Sequence, residues 1–147
     1  MKGIDSFDEY PGPESAEIVN SYYLIIENAA AQIITILTVS LFDTGAGYDG
    51  NPADIIPGSI LQYNIEFNNV NNAYAENVSV SHYLPALVVY VANSIELDTG
   101  AGFVAVTDAD DGDTVDYNIT ALNTITAVIG RMEPFQVGNI RFKVYIP

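Results

Sequence analysis

Residues 59–68 read SILQYNIEFN, and every second side chain in this stretch is apolar. The apolar residues are Leu61, Tyr63, Ile65 and Phe67. A period of two is typical of a β-strand that has one face against a core and the other in solvent. The pattern returns in NVSVSHYL at residues 77–84 and in GNIRFKVYIP at residues 138–147.

Turn-forming sequences separate these strands, among them GNPADIIPGS, NNVNNAYAEN and DADDGD. Gly, Pro, Asn and Asp supply the backbone angles and local hydrogen bonds that turns need. Sequences typical of helices are almost absent. The spacing therefore predicts an all-β fold, an antiparallel β-sandwich with an extended N-terminal strand.

The N-terminal segment differs from the rest of the chain. After an acidic leader with the turn or linker PGPES, residues 16–28 read AEIVNSYYLIIEN and carry apolar side chains on both faces of a strand. Such a pattern indicates a strand enclosed on both sides, and a buried helix is the competing interpretation. β-Branched residues and two tyrosines favour the strand. Residues 1–31 are predicted to form a separate unit, and residues 33–42, IITILTVSLF, a second strand.

Composition excludes several kinds of function. The 147 residues include 19 acidic and four basic ones, a formal net charge of −15 that repels nucleic acids and anionic membranes. No run of residues is apolar enough for membrane insertion. There is no cysteine, and His82 is the single histidine, so disulfides and multi-histidine metal centres are excluded. The opening residues lack the apolar core of a signal peptide, as expected of a mature form or of a chain that is not secreted.

Residues 57–85, PGSILQYNIEFNNVNNAYAENVSVSHYLP, resemble the conserved repeat domain of prokaryotic cell-surface proteins. The resemblance continues through the acidic loop VTDADDGDTVDYN and the segment AVIGRMEPFQVGNIRFKVYI, and it covers roughly residues 33–147. It implies an Ig-like antiparallel β-sandwich over residues 32–147 at the cell surface. Two positions depart from the family pattern: Asn71 stands where Gly is usual, and His82 where Asp is common before Leu84-Pro85. The role of that carboxylate therefore does not carry over.

The order of strands also departs from this family. In tandem repeats the closing strand is followed by one more, of the form Ile-x-Asn-x-Ala-x-Val, whereas this sequence ends at Pro147. A similar segment stands at the front, beginning with Ile18-Val19-Asn20. The resemblance thus implies a permuted repeat whose body has an open groove and an unpaired edge, which stable proteins cover.

Donor-strand complementation follows as the predicted function. Each subunit inserts its N-terminal strand into the adjacent subunit, and repeated head-to-tail contact builds an extracellular, pilus-like homopolymer at the cell surface. The predicted donor residues are Ile18, Val19, Tyr22, Tyr23, Leu24, Ile25 and Ile26. The predicted acceptor edge is formed by Ile140, Arg141, Phe142, Lys143 and Val144. The leader is acidic and the predicted edge is basic, so opposite charges would guide pairing.

Two alternatives to the filament stay open at this point. The N-terminal strand could fill the groove of its own chain and give a permuted monomer. A monomeric surface module could instead serve adhesion or act as a stalk, and bind protein or carbohydrate through its loops. Glycans are a further predicted component, because the sequons beginning at Asn77 and Asn118 permit glycosylation of a secreted protein.

Five carboxylates crowd one predicted loop: Asp108, Asp110, Asp111, Asp113 and Asp116. Their mutual repulsion is relieved by solvent or by a hard cation with oxygen ligands, so Ca²⁺ is the predicted cofactor and a solvated loop the alternative. The spacing is not that of an EF-hand. A sparser second candidate consists of Asp43, Asp49 and Asp54.

The sequence DTGAG occurs twice, at residues 43–47 and 98–102, and Asp-Thr-Gly is how aspartic proteases present their catalytic carboxylates. The copies are too close in sequence to be duplicated lobes, and no Gly-rich flap accompanies them. VIGRM at residues 128–132 only superficially resembles a protease support segment. We therefore predict no enzymatic activity and interpret both copies as turns whose Asp side chains bind nearby amides.

Overall fold

The computed structural model describes residues 31–45, 50–51 and 53–147. The predicted leader and donor strand lie outside the described residues, Ala31 apart. Residues 31–147 form one compact unit made of strands, turns and bends. The described part of the chain contains no helix that could span a membrane.

Nine strands follow one another along this unit. They are β1 (Ile33–Asp43), β2 (Ile60–Asn69), β3 (Ala75–Tyr83), β4 (Val89–Tyr90), β5 (Glu96–Asp98), β6 (Val104–Ala105), β7 (Val115–Tyr117), β8 (Thr124–Met132) and β9 (Val137–Tyr145).

The strands form two antiparallel sheets. The first has the order β1-β2-β9-β5-β6, with β4 also paired to β9, and the second has the order β3-β8-β7. The apolar residues that alternate in the sequence of β2 and β9 face the second sheet and form the core with it. Phe67, Ile140, Phe142 and Val144 are fully buried. The prediction of an all-β sandwich is confirmed.

Strand β9 lies inside its sheet. Its residues pair with β2 from Ile60↔Tyr145 to Asn68↔Val137, and on the opposite edge with β5 and β4. Between those two short strands, Val91 N donates to the Lys143 carbonyl and Lys143 N donates to Ser94 Oγ. Both edges of β9 are therefore occupied.

The predicted acceptor edge, Ile140, Arg141, Phe142, Lys143 and Val144, is consequently wrong. Ile140, Phe142 and Val144 are core residues rather than groove residues. The two cations already have partners within the sheet's outer face. Arg141 donates to Glu96 Oε1 at 2.6 Å and lies over the Phe103 ring, and Lys143 lies over the Phe42 ring.

Asn69, at the end of β2, ties together the loops at one end of the sandwich. Its side chain is fully buried and its Nδ2 donates to the carbonyls of Ala73, at 2.7 Å, and Glu133, at 3.0 Å. Its backbone N donates to the Gln136 carbonyl. We call this end of the molecule the Asn69 end and the opposite one, where β1 finishes, the Ile60 end.

Replacing Asn69 by Ala should destabilise the fold by about 1–3 kcal/mol, because two loop carbonyls lose their only shared donor in a place that water reaches poorly. Urea denaturation measures the change in the free energy of unfolding. Asn68→Ala is the matched control, since Asn68 precedes it on the half-buried outer face. Equal stability of the two variants would contradict the structural role of the Asn69 amide.

Candidate functional site

Strand β1 presents core-type side chains that nothing in the described residues covers. Leu37 pairs with Ile65 and Val39 pairs with Tyr63, so these β1 side chains share the inner face of the sheet. Ile65 and Tyr63 are buried, yet Leu37 is 47% exposed and Val39 is 44% exposed. An apolar inner face exposed to this extent marks a place where the second layer of the sandwich is missing.

The second sheet stops one strand short of β1. Its edge strand β3 lies over β2, because the His82 ring packs against the Tyr63 ring with centroids 5.7 Å apart. Among the described residues β3 pairs only with β8, so its other edge is unpaired. We call the space between the inner face of β1 and this free edge of β3 the groove. A single added strand could pair with β3 and cover β1 at the same time.

His82 borders the groove and is the most constrained polar group there. It faces inward from β3, packs on Tyr63 and Phe142, and is half-buried. Its Nε2 atom is buried and has no hydrogen-bond partner in the described part of the chain. Burial lowers the pKa of His82 below its ordinary value of 6.5, because the imidazolium would lose its hydration.

Sequence reasoning missed the residues that form the groove. The available signal was the segment IITILTVSLF, which is apolar on both faces although it lies at the edge of a sheet. The predicted donor residues, Ile18, Val19, Tyr22, Tyr23, Leu24, Ile25 and Ile26, lie outside the described residues. Their role stays a prediction.

The predicted calcium ligands are partly brought together. Asp110, Asp113 and Asp116 line one pocket of about 230 Å³. Several of the five carboxylates are nevertheless engaged by local donors, as in a solvated turn. Asp113 accepts from the backbone N atoms of Thr107 and Val115, at 2.8 and 3.0 Å, and these bonds lower its pKa.

Asp116 and Asp108 likewise accept hydrogen bonds from neighbouring groups. Asp116 accepts from Thr120 N and Thr120 Oγ1. Asp108 accepts from Asn93 N and from the Tyr90 hydroxyl, and burial together with Asp108 raises the Tyr90 pKa. Within the described residues no three acidic or histidine side chains are placed so that they could hold one metal ion. Calcium binding by Asp108, Asp110, Asp111, Asp113 and Asp116 stays a prediction.

Both DTGAG copies contain turns closed by their Asp side chains. Asp98 Oδ1 accepts from Gly100 N at 2.7 Å and from Gly102 N at 2.8 Å, and these bonds lower the Asp98 pKa. Asp43 Oδ1 accepts from Gly45 N at 3.1 Å. Asp98 lies opposite Asn139 near the Asn69 end, and Asp43 lies opposite Ile60 at the other end. They are about 20 Å apart along the strands, so one chain does not form a carboxylate dyad from them.

The two sequon asparagines are exposed and adopt left-handed backbone angles, with φ of 57° at Asn77 and 66° at Asn118. Asn118 Oδ1 accepts from Asn123 N at 2.6 Å, which closes a turn between β7 and β8. Glycosylation at either residue stays a prediction.

No known protein family, curated protein or solved structure matches this chain. The resemblance to the repeat domain of prokaryotic surface proteins therefore stays a prediction that rests on the residues given above.

Acidification should weaken the fold through His82. Its pKa is lower in the folded state than in the unfolded state, so the unfolded chain takes up the proton first as pH falls through about 6.5. Stability conferred by neutral His82 is complete at higher pH and declines below that value. In His82→Phe, which keeps an aromatic ring in the site, the loss of stability between about pH 7.5 and 5.5 should be smaller. Parallel pH profiles of the free energy of unfolding for the two proteins would contradict this.

Calcium has a direct test. If Ca²⁺ joins the carboxylates of the loop, adding a chelator should lower the melting temperature, since a ligand that binds only the folded state stabilises it. Asp110→Asn combined with Asp111→Asn should remove the effect, and Glu133→Gln, at an exposed position outside both candidate sites, serves as the control. An unchanged melting temperature would show that this loop does not bind Ca²⁺.

Proposed function

We propose that this protein is the structural subunit of an extracellular, pilus-like filament. Each subunit gives its N-terminal strand, residues 16–28, to the groove of the adjacent subunit. The contact is heterologous and head-to-tail, so the same joint repeats and the assembly grows without limit unless it closes into a ring.

The exposed inner face of β1 is the observation that carries this proposal. Leu37 and Val39 continue the buried rows of Ile65 and Tyr63 across the sheet, and they lack a covering layer in the described residues. Within the described ranges, the adjacent edge of β3 has no strand partner and offers its backbone groups. Apolar side chains and free backbone donors and acceptors side by side are what an incoming β-strand requires.

The donor segment has matching chemistry. It contains seven large apolar side chains within nine residues, from Ile18 to Ile26, which in an extended strand would point to both sides. One side would face Leu37 and Val39 and the core beside them. Three or four of these side chains would be buried on that side at about 1.5–3 kcal/mol each, on the order of 5–12 kcal/mol in all before the entropy of ordering the strand. Hydrogen bonds to the edge of β3 would add to this apolar contact and hold the joint.

The proposed acceptor is the groove and not the edge of β9, so attraction between opposite charges no longer guides the pairing. Arg141 and Lys143 are already paired with side chains of the outer face, whereas β1 carries no charge before Asp43. The joint is therefore apolar and hydrogen-bonded rather than ionic. It should be insensitive to salt, unlike a contact between the acidic leader and a basic edge.

Chain length limits where the joint lies. The segment 29–32 separates the donor strand from Ile33 and spans at most about 18 Å between flanking Cα atoms. Strand β1 begins at the Asn69 end of the subunit. The donor strand must therefore leave the acceptor groove close to the Asn69 end of its own subunit, and adjacent subunits are in near contact there.

Complementation between two defective subunits tests the proposal. Leu37→Asp with Val39→Asp should disable the groove, and Leu24→Asp with Ile26→Asp should disable the donor strand. Each variant alone should form no filaments, because one partner of every joint is missing. A mixture of the two should form one-joint heterodimers, visible by sedimentation velocity, and the wild type should form filaments visible by electron microscopy.

Val128→Asp is the control for added charge, since Val128 is exposed on the outer face of β8. It should assemble like the wild type. A wild type that stays monomeric, with the donor and groove variants equally destabilised, would instead show that residues 16–28 fill the groove of their own chain. A monomer unaffected by the donor substitutions would leave the groove unrelated to the N-terminal segment and favour a surface module that acts through its loops.

A further inference from the structure

The free edge of β1 is long and unprotected. β1 has 11 residues and, among the described residues, pairs only with β2. No residue from Ile33 to Phe42 is charged and none is Pro. Soluble proteins normally protect such an edge with Lys, Pro or a bulge, because its unpaired N–H and C=O groups invite another strand. In β1 the only such features are the register irregularity between Leu41 and Asp43 and the charge of Asp43 itself. Both protect only the C-terminal end of the strand.

The outer face of β1 is also apolar where the rest of that face is polar. Ile36 is 51% exposed and Phe42 is 55% exposed, and Ile34 lies on the same side. Across the ladder Ile36 stands opposite Glu66, and Ile34 opposite Asn68. This outer face is distinct from the groove, which is bordered by the inner side chains Leu37 and Val39. A strand placed in the groove against β3 would leave the β1 edge and its outer face uncovered.

We propose that a second copy of this chain pairs with the β1 edge, antiparallel and about a twofold axis at Thr38. A second copy fits this edge because, although each chain carries −15, two copies can approach along β1 without facing carboxylates. The regular ladder runs from Ile33 to Leu41, so a twofold axis at Thr38, close to its middle, pairs most of the stretch with itself. Thr35 then lies opposite Leu41 of the second copy.

This contact is independent of the donor strand. It uses the backbone edge and outer face of β1, whereas the joint proposed above uses the groove and the edge of β3. In donor-defective subunits it gives a discrete dimer. In filaments it would link subunits of two neighbouring fibres side by side, so the same strand that borders the joint would also bundle the fibres.

Single cysteines test the proposed pairing, because the chain has none of its own. Thr38→Cys, Ile34→Cys and Val128→Cys are each made in full-length protein that carries the donor substitutions at Leu24 and Ile26. Antiparallel pairing brings Thr38 within disulfide reach of its own copy, whereas the two copies of Ile34 stand about 20 Å or more apart. Under mild oxidation Thr38→Cys should form covalent dimers at least about tenfold faster than Ile34→Cys or Val128→Cys.

Equal rates for Thr38→Cys and Ile34→Cys would overturn antiparallel pairing. No excess of dimer over Val128→Cys for either would show that the edge is covered by residues of the same chain, and this too would overturn the proposal. Neither outcome bears on the donor joint, which is already disabled in these proteins.

A charge placed on the edge provides the second measurement. Ile36→Lys puts a cation opposite Glu66 within the same subunit, so it should be tolerated by the fold. It should weaken dimerisation by about tenfold or more in sedimentation equilibrium, since an edge lysine opposes strand pairing. Val128→Lys should not. An unchanged dimer affinity of Ile36→Lys, with its melting temperature intact, would also overturn the proposal.

Discussion

Backbone pairing on both edges of β2 is the constraint on which the rest of the molecule depends. Residues 60–69 bond to β1 along one edge and to β9 along the other. The side chains of a strand alternate strictly, so this double ladder decides which residues of all three strands face the core. In β2 and β9 the second sheet covers that face. In β1 the same parity directs Leu37 and Val39 inward, where no strand of the described chain covers them.

A sheet that extends beyond its partner explains several otherwise unrelated features. The first sheet contains six strands and the second contains three, so one layer is wider than the other. On the side of β7, the space left by the narrower sheet is partly filled by Tyr90 and Tyr117, whose ring centroids are 4.1 Å apart. At the side of β3 no such filling is present among the described residues. The groove is thus a consequence of unequal layer widths.

Alternation in the sequence was enough to predict the strands and their buried residues, but not their neighbours. The pattern around Leu61 to Phe67 and around Ile140 to Val144 predicted both core faces, because burial on one side leaves a period of two. Whether a strand is at an edge depends on which strands join it, and the short β4 and β5 that occupy the far side of β9 carry little periodic signal. The edge predicted at Ile140 to Val144 rested on the resemblance, in which one more strand follows the closing strand. Arg141 and Lys143 instead contact Glu96 and Phe42 on the outer face of the sheet. Pairing of the DTGAG carboxylates with nearby amides was predictable, since Asp commonly closes its own turn.

The direction in which β1 enters the sheet has a mechanical consequence. The chain reaches β1 at Ile33 and runs antiparallel to β2 as far as Asp43. Tension applied ahead of Ile33 along the axis of β1 would load the hydrogen bonds to β2 together in shear instead of peeling them apart one by one. A pull on the N-terminal side would thus meet the combined resistance of the ladder. A pull across the sheet at the same strand would separate it at a much lower force.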